Sequence, residues 1–368
     1  MKALRFGRSA AVLSVAALAL TACGGNGGSS ESPAAEGGSG SAPAEVQGTL
    51  IGGGASSQES AMTAWTNGVT EVQSGLTVQY DPVGSGSGRE GFLAGQYSFA
   101  GSDAAMDEEE MTQAQDVCGP EGVFHVPAYI SPVAVAYNLE GVDENIKMDA
   151  ETIAKVFTGE ITTWNDPAIA EQNEGVELPD TPITVVHRAD DSGTTENFTE
   201  YLAAAAPEAW TYDVVETWPS EITAESAQQT SGVVSLTQST DGAITYADAS
   251  QIGELGTVDV KVGEEYVPYS SEAAAAAVEK AEPAEAGAVE LDRKTTEAGV
   301  YPIVLVSYHI YCNQYQDQET ADMAKAFGEY VVSEEGQAAA EESAGSAPIS
   351  DKTREAALED IQAISVQG

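Results

Sequence analysis

The sequence predicts a two-lobed α/β fold with largely parallel sheets around a packed core, and three observations support this prediction. Short runs rich in β-branched and aromatic residues alternate with stretches of helical periodicity, as in strands connected by helices. The composition is 42 % hydrophobic and 20 % charged, so a packed core is possible. The folded part spans roughly 320 residues, which is long for one core, and we therefore expect two lobes.

The first 22 residues have the pattern of an export signal. A basic start precedes an apolar run over residues 10–20, which is shorter than the ~20 residues that span a bilayer. The run ends in Leu-Thr-Ala-Cys, which resembles the lipobox of bacterial lipoproteins, where cleavage precedes an acylated cysteine. We expect residues 1–22 to be a lipoprotein signal peptide and Cys23 to carry the lipid anchor. A plain secretory signal is the alternative.

Residues 23–47 predict a flexible tether, because they are mostly Gly, Ser, Ala, Pro and Glu. From residue 48 onward there is no further linker and no internal repeat. An alanine-rich stretch over residues 271–291 predicts an exposed acidic helix that is interrupted at Pro283.

Strands and core-facing helices follow from the apolar pattern. The predicted strands are residues 49–51, 76–80, 98–100, 133–137, 183–186, 243–246 and 303–310. Three helical stripes are predicted to face the core: Met62, Trp65, Val69 and Val72; Phe198, Tyr201 and Leu202; and Met323, Phe327, Tyr330 and Val331.

The chain is strongly acidic, with 59 Asp and Glu against 14 Lys and Arg and a formal net charge of −45. Affinity for nucleic acid depends on clustered Lys and Arg that release counterions, so a nucleic-acid partner is excluded. A single small anion is not excluded, because distant charges are screened within about 8 Å at physiological salt and barely affect an enclosed cleft.

Two cysteines, Cys118 and Cys312, follow the signal segment. An exported chain meets an oxidising compartment, which predicts one disulfide between them, with two buried free thiols as the alternative. His125, His187 and His309 show no ligand spacing with these cysteines, so no metal site is predicted.

Three loops share one pattern, in which a short strand ends in Gly and Ser residues and a helix begins at once. They are residues 50–57, 83–88 and 186–194. Glycine allows close backbone approach, Ser and Thr add hydroxyl donors, and a helix N-terminus carries about half a positive charge. Together the loops predict a small-anion site without lysines. For one loop alone, helix capping is the commoner explanation.

Two patterns in these loops resemble enzyme motifs, but neither predicts an enzyme site. Residues 86–91 fit the dinucleotide pattern G-x-G-x-x-G, but an exported chain meets no nicotinamide pool. His187, Asp190 and Ser192 lie too close in sequence to align easily as a hydrolase triad, and no G-x-S-x-G elbow surrounds Ser192. No catalytic residue is predicted.

Five segments in sequence resemble the phosphate-binding protein of the high-affinity phosphate ABC transporter, the PstS type. They are residues 50–57, 80–88, 99–103, 157–166 and 185–195. The resemblance implies a two-lobed periplasmic-binding-protein fold of type II, with the ligand cleft between lobes that a two-strand hinge joins. Crossovers near residues 131–136 and 306–310 give lobe one as residues 48–132 plus 308–368 and lobe two as residues 133–307. Both cysteines then lie in lobe one.

The resemblance also implies a function and a site. The chain would bind inorganic phosphate outside the cytoplasmic membrane and deliver it to ABC transporter permease subunits, without a cofactor. The implied phosphate-binding residues are Ser56, Ser57, Ser85, Asp103, Arg188, Ser192, Gly193 and Thr194, and Asp190 would support Arg188. Ser56 and Ser57 stand where the family commonly has a Thr-Phe pair.

The chemistry of two of these residues can be argued without the resemblance. Arg188 offers a planar donor fork to an oxyanion, although alone it could equally form a surface ion pair. An ionised Asp103 only accepts hydrogen bonds, so it favours an anion that still carries an O–H. Phosphate near neutral pH has that proton and sulfate does not. Alone, Asp103 would more often cap the helix that follows.

Other functions stay open. The site could take another tetrahedral oxyanion, such as sulfate or a phosphonate. A secreted phosphate-ester hydrolase would need a metal cluster or an activated nucleophile, and the sequence shows no paired ligand spacing for it. A purely adhesive lipoprotein would not explain three similar loops.

Overall fold

The computed structural model describes residues 46–368, so the predicted signal peptide, Cys23 and nearly all of the tether lie outside the described residues. The strands are β1 (Gln47–Gly54), β2 (Gly75–Asp81), β3 (Phe99–Ser102), β4 (Val123–Asn138), β5 (Ile146–Met148), β6 (Thr184–Arg188), β7 (Glu225–Ala227), β8 (Ala243–Asp248), β9 (Gly256–Val262), β10 (Glu265–Val267), β11 (Glu282–Pro283), β12 (Val289–Glu290), β13 (Val304–Cys312), β14 (Gln314–Tyr315) and β15 (Ser365–Val366).

The helices of the same region connect these strands. They are α1 (Glu59–Val72), α2 (Ser85–Leu93), α3 (Glu108–Cys118), α4 (Ala150–Phe157), α5 (Pro167–Ala170), α6 (Gly193–Ala205), α7 (Gln229–Gln238), α8 (Ser271–Val278), α9 (Gln318–Val332), α10 (Glu334–Ala344) and α11 (Asp351–Ala363). Between residues 46 and 368, none of the helices combines the length and the apolar character that crossing a membrane requires.

One mixed sheet of 11 strands organises the described chain. Its main path runs β2-β1-β3-β13-β4-β8-β6-β7, and β9 joins the end of β4 and carries β5 and β10. The α/β prediction is confirmed, but the prediction of largely parallel pairing is wrong at the centre, where β13 is antiparallel to β3 and β4, and β4 is antiparallel to β8. The reason is the path of the chain, since β4 leads away from β1–β3 and β13 returns to them.

The long strand β4 changes its partner halfway along. Residues 123–132 pair with β13 and residues 133–138 pair with β8. We call β1, β2 and β3 the first strand group, and β6, β7 and β8 the second strand group. The two groups are therefore joined by buried strands rather than by an exposed linker. The boundaries of the two lobes remain a prediction.

The predicted helical stripes lie in the core with one exception. Trp65 and Val69 of α1, Phe198 of α6 and Phe327 of α9 are fully buried, and the other stripe residues are nearly so. Val72 is 52 % exposed, because it is the last residue of α1 and the chain turns away there.

The alanine-rich stretch differs from its prediction. Its helix, α8, ends at Val278, and the residues around Pro283 form the short antiparallel pair β11–β12 about a 3-10 turn, Glu285–Gly287. Ala273, Ala274 and Ala277 are buried because α8 packs on β4 and β13. A helix is confirmed for residues 271–278, but the prediction that it is exposed was wrong, since small alanine side chains allow close packing on a sheet as well as solvent exposure.

The predicted disulfide between Cys118 and Cys312 is confirmed, and it links residues 194 positions apart. Cys118 ends α3, which leads into β4, and Cys312 ends β13 beside Val123 of β4. Both cysteines therefore lie at one end of the β4–β13 pair.

Candidate functional site

The three Gly- and Ser-rich loops each join a strand to a helix, as predicted: β1 to α1, β2 to α2, and β6 to α6. Carboxyl ends of parallel strands are where open α/β sheets bind ligands. The second and third loops touch directly, because the Gly86 amide donates to the Asp191 carbonyl at 3.3 Å. The first loop also contacts the turn that follows β8 of the second strand group, since Gln251 donates to the Ser56 carbonyl at 2.7 Å.

Two glycines allow this close approach. Gly84 has a φ of 101°, and a Cβ there would lie 2.5 Å from Oδ2 of Asp190. A Cβ on Gly193 would lie 2.8 Å from the Cβ of Asp103. A larger residue at either position would push these segments apart. Gly84 therefore permits the contact between the second and third loops, and Gly193 permits the contact between the third loop and Asp103.

Asp103 lies at the centre of the candidate site and accepts three hydroxyl hydrogen bonds. Ser57 and Ser307 donate to Oδ1 at 2.6 and 2.5 Å, and Thr194 donates to Oδ2 at 2.8 Å. The Asp103 amide donates to the Ser85 hydroxyl at 3.2 Å. The structure therefore brings four predicted site residues together, and an unpredicted fifth, Ser307, joins them.

Asp103 is not the cap of the following helix. Asp107 caps α3 instead, and it forms a reciprocal capping box with Glu110. Asp103 is 4 % exposed, and all of its side-chain partners are hydroxyls. The alternative reading of Asp103 as an ordinary cap was therefore wrong.

Ser307 is itself held by a buried polar chain that the sequence analysis missed. Gln58 donates to the Ser307 hydroxyl at 2.5 Å, and its Oε1 lies 3.0 Å from Nε2 of His309. Burial lowers the pKa of His309 to about 3, so the ring is neutral and can donate one N–H to Gln58. A signal for Ser307 was available, because it is a polar residue within the apolar strand 303–310.

Arg188 and Asp190 form a buried pair. Nε of Arg188 donates to Oδ1 of Asp190 at 2.9 Å, Nη2 pairs with Oδ2, and Oδ1 also accepts the Gln229 amide at 2.9 Å. Burial works to raise the pKa of Asp190, but the hydrogen bond and charge of Arg188 outweigh it and hold the pKa below its ordinary value. Among the described residues, Nη1 of Arg188 has no hydrogen-bond partner, so one edge of the guanidinium remains free for an anion.

Ser192 and Ser56 act at helix N-termini. The Ser192 hydroxyl accepts the Thr195 amide at 3.2 Å and caps α6. The Ser56 hydroxyl accepts the Thr230 amide and lies 3.0 Å from its hydroxyl, at the start of α7. The start of α7 was not predicted as part of the site, because no strand was predicted before it, although Thr230, Ser231 and Gly232 follow the short strand β7 there.

The three residues of the rejected hydrolase triad have other contacts. His187 stacks on Trp218 and its Nδ1 lies 2.7 Å from the Arg188 carbonyl, while Asp190 and Ser192 bind the partners given above. Within residues 46–368 there is no group of three His, Cys, Asp or Glu side chains that could hold a metal ion.

Every predicted phosphate-binding residue is buried, and Asp103 is the most exposed of the polar ones at 4 %. The supporting residue Asp190 is partly buried, with 11 % of its side chain exposed. In such surroundings hydrogen bonds and charges act more strongly than in water. The site combines one cationic fork, one carboxylate, several hydroxyls and the N-terminus of α6, which are groups that suit a small oxyanion bearing a proton.

Comparison with known proteins agrees with this chemistry. The profile of the PBP superfamily domain matches residues 39–335. The phosphate-binding protein PstS2 of Mycobacterium bovis is 35 % identical over 338 residues, which cover 89 % of this chain and 90 % of that protein. The phosphate-binding protein PstS 3 of Mycobacterium leprae is 33 % identical over 347 residues, with the same coverage.

Solved structures show the same fold. A high-affinity periplasmic phosphate-binding protein determined with bound phosphate superposes with a TM-score of 0.68 at 24 % identity, covering 84 % of this chain and 92 % of that one. The phosphate-binding protein of Stenotrophomonas maltophilia gives 0.64 at 18 % identity, covering 85 % and 93 %. The predicted two-lobed periplasmic-binding-protein fold is thus confirmed. Because a family profile matches most of its length and relatives are about one-third identical to it, the chain belongs to the PBP superfamily and to its PstS family of phosphate-binding proteins.

Proposed function

We propose that this protein binds one inorganic phosphate ion at Asp103 and Arg188 and delivers it to the permease of an ABC transporter. The observation that carries the proposal is the set of donors on Asp103. A carboxylate has about four lone-pair positions, and Ser57, Ser307 and Thr194 use three of them. One acceptor position is left, which suits an anion with one O–H.

Sulfate cannot use that position. It has no proton to donate near neutral pH, so its oxygen would face the Asp103 carboxylate without a hydrogen bond. A buried polar mismatch of this kind gives discrimination of about 10⁴-fold. The proposal therefore favours phosphate over the sulfate-like alternative.

The groups that attract the negative charge of the anion are the guanidinium of Arg188 and backbone amides. The free edge of Arg188 supplies two N–H donors, and Asp190 keeps the guanidinium in place. The amides of Gly193 and Thr194 begin α6 and have no partner within the helix. Hydroxyls of Ser56, Ser85 and Ser192 complete the proposed ligand set, which needs neither a lysine nor a cofactor.

The proposal extends to location and delivery. Residues 1–22 would direct export, and acylated Cys23 with the tether up to residue 47 would hold the protein on the outer side of the cytoplasmic membrane. The relatives named above are phosphate-binding proteins of the PstS type, which supports a permease as the recipient. Mass spectrometry of the Cys23 peptide tests the anchor, and Cys23→Ala should release the protein into the medium.

Binding of radiolabelled phosphate to the purified protein tests the proposed function. Unlabelled phosphate at the concentration of the label should halve the bound label, while a thousand-fold excess of sulfate should leave most of it bound. Displacement by sulfate comparable to that by phosphate would contradict the proposal. Incubation with a chromogenic phosphate ester tests the hydrolase alternative, and we expect no release of the chromophore. Uptake by permease-containing vesicles should require added binding protein.

A further inference from the structure

A buried ion pair lies beside the candidate site and joins the second loop to the segment after the third. Arg89 of α2 places Nη1 and Nη2 at 2.9 and 2.7 Å from the two carboxylate oxygens of Glu216. The side chain of Arg89 is 7 % exposed and that of Glu216 is 19 % exposed. Two parallel hydrogen bonds of this kind fix orientation as well as charge.

Arg89 is anchored on its own side of the pair. Its Nε donates to both oxygens of Glu110 at 2.8 and 3.1 Å, and its Nη1 donates to the Ser102 hydroxyl at 2.9 Å. Ser102 immediately precedes Asp103 in the chain. The orientation of Arg89 is therefore set before it meets Glu216.

The pair connects the two strand groups. The helix that carries Arg89 packs on β1 and β3, whereas Glu216 follows α6, which packs on β8. The carbonyl of Glu216 accepts the Ser192 amide at 3.2 Å. One end of the ion pair is thus next to Asp103 and the other is next to Ser192, but neither side chain takes part in the ligand set proposed above.

We propose that Arg89 and Glu216 form a clasp that holds the two strand groups together around the bound anion. Arg89 is then a positioning residue, which sets the affinity without contacting the ligand. The proposal rests on the proposed function, because the anion used to test it is phosphate. In an open cleft the two charges separate and are hydrated, so the pair stabilises only the closed arrangement.

Phosphate affinity and dissociation rate test the clasp in Arg89→Gln, Glu216→Gln and the double variant. We expect each single change to lower affinity about ten- to a hundred-fold, mainly through faster dissociation, since it breaks the ion pair between the two strand groups. The double variant should be no weaker than the weaker single variant, because the pair is already broken. Arg89→Lys keeps the charge without the fork and should restore part of the affinity.

Two control variants separate the clasp from general damage. Glu110→Gln removes a charge that also pairs with Arg89, but on the same strand group, and glutamine preserves the capping box of α3. Its phosphate affinity should fall less than that of Glu216→Gln, because Arg89 loses an anchor on its own side but keeps the bidentate pair with Glu216 that joins the two strand groups. Arg354→Gln removes exposed ion pairs on α11 and should leave the affinity unchanged.

A measurement without ligand completes the test. The Gly86 amide, which donates to Asp191 across the two loops, should exchange its hydrogen faster in Arg89→Gln than in the wild type, while amides in α1 should not. If the wild type fails to bind phosphate, the proposed function is wrong, and the exchange of Gly86 still decides on the clasp. Unchanged exchange, or independent and additive effects of Arg89 and Glu216 on affinity, would overturn it.

Discussion

Replacing the carboxylate of Asp103 by an amide should weaken the preference for phosphate over sulfate by at least about ten-fold. In the wild type, Ser57 and Ser307 donate to one oxygen and Thr194 to the other, which leaves one acceptor position. In Asp103→Asn the single oxygen is filled by two serine hydroxyls and the NH₂ group faces Thr194. No acceptor remains for the O–H of phosphate.

The size of the effect follows from the hydrogen bond that is lost. A hydrogen bond to a charged group contributes about 1.5–3 kcal/mol, so phosphate affinity should fall roughly 10- to 150-fold. Sulfate affinity should stay the same or rise, because the carboxylate charge that repelled it has gone. The ratio of the two affinities should therefore shrink by at least about ten-fold.

Isothermal titration calorimetry of both anions at one pH measures this ratio. Asp107→Asn is the matched control, since it makes the same change four residues away at an exposed cap of α3, where asparagine also serves as a cap. Both affinities of the control should equal those of the wild type. Unchanged discrimination in Asp103→Asn would refute the acceptor argument.

Three further predictions concern charge, pH and the disulfide. Arg188→Ala should lower phosphate and sulfate affinity together by about 30-fold or more, because it removes the shared cation, and calorimetry showing loss for one anion alone would argue against that role. Burial, then the neighbouring Glu216, raises the pKa of Glu196 from 4.5 to about 8. The folded chain thus holds this proton more tightly than the unfolded chain, and the free energy of unfolding should fall as pH rises from about 4.5 to about 8. Urea titrations should show a smaller fall in Glu196→Gln, and an identical pH profile would count against the assignment. Cys118→Ser with Cys312→Ser should lower the free energy of unfolding by about 4 kcal/mol and leave phosphate affinity nearly unchanged, which urea unfolding and calorimetry can check.

Local patterns predicted much of the fold. The strands near residues 49–51 and 76–80, the glycine loops and the apolar stripes depend on neighbours in sequence, so the sequence alone was sufficient. The antiparallel centre was missed, because strand direction depends on where the chain crosses between the strand groups. The packing of α8 was missed because alanine fits both exposed and buried helices.

The residues of the candidate site also fall into two groups, those that a local pattern predicts and those that only the topology brings together. Ser57, Asp103 and Arg188 lie in loops with a recognisable pattern, and the structure places Ser57 against Asp103 and pairs Arg188 with Asp190. Ser307 stands out as a polar residue in its apolar strand, but only the return of β13 beside β3 places it against Gln58 and Asp103. Contacts of this kind, between residues about 200 positions or more apart, require the topology.

A calorimetric titration of the wild-type protein with phosphate and, separately, with sulfate at neutral pH tests directly whether the site selects phosphate. We expect one phosphate bound per chain and sulfate binding that is weaker by about 10⁴-fold. Equal affinity for the two anions, or no phosphate binding, would contradict this expectation.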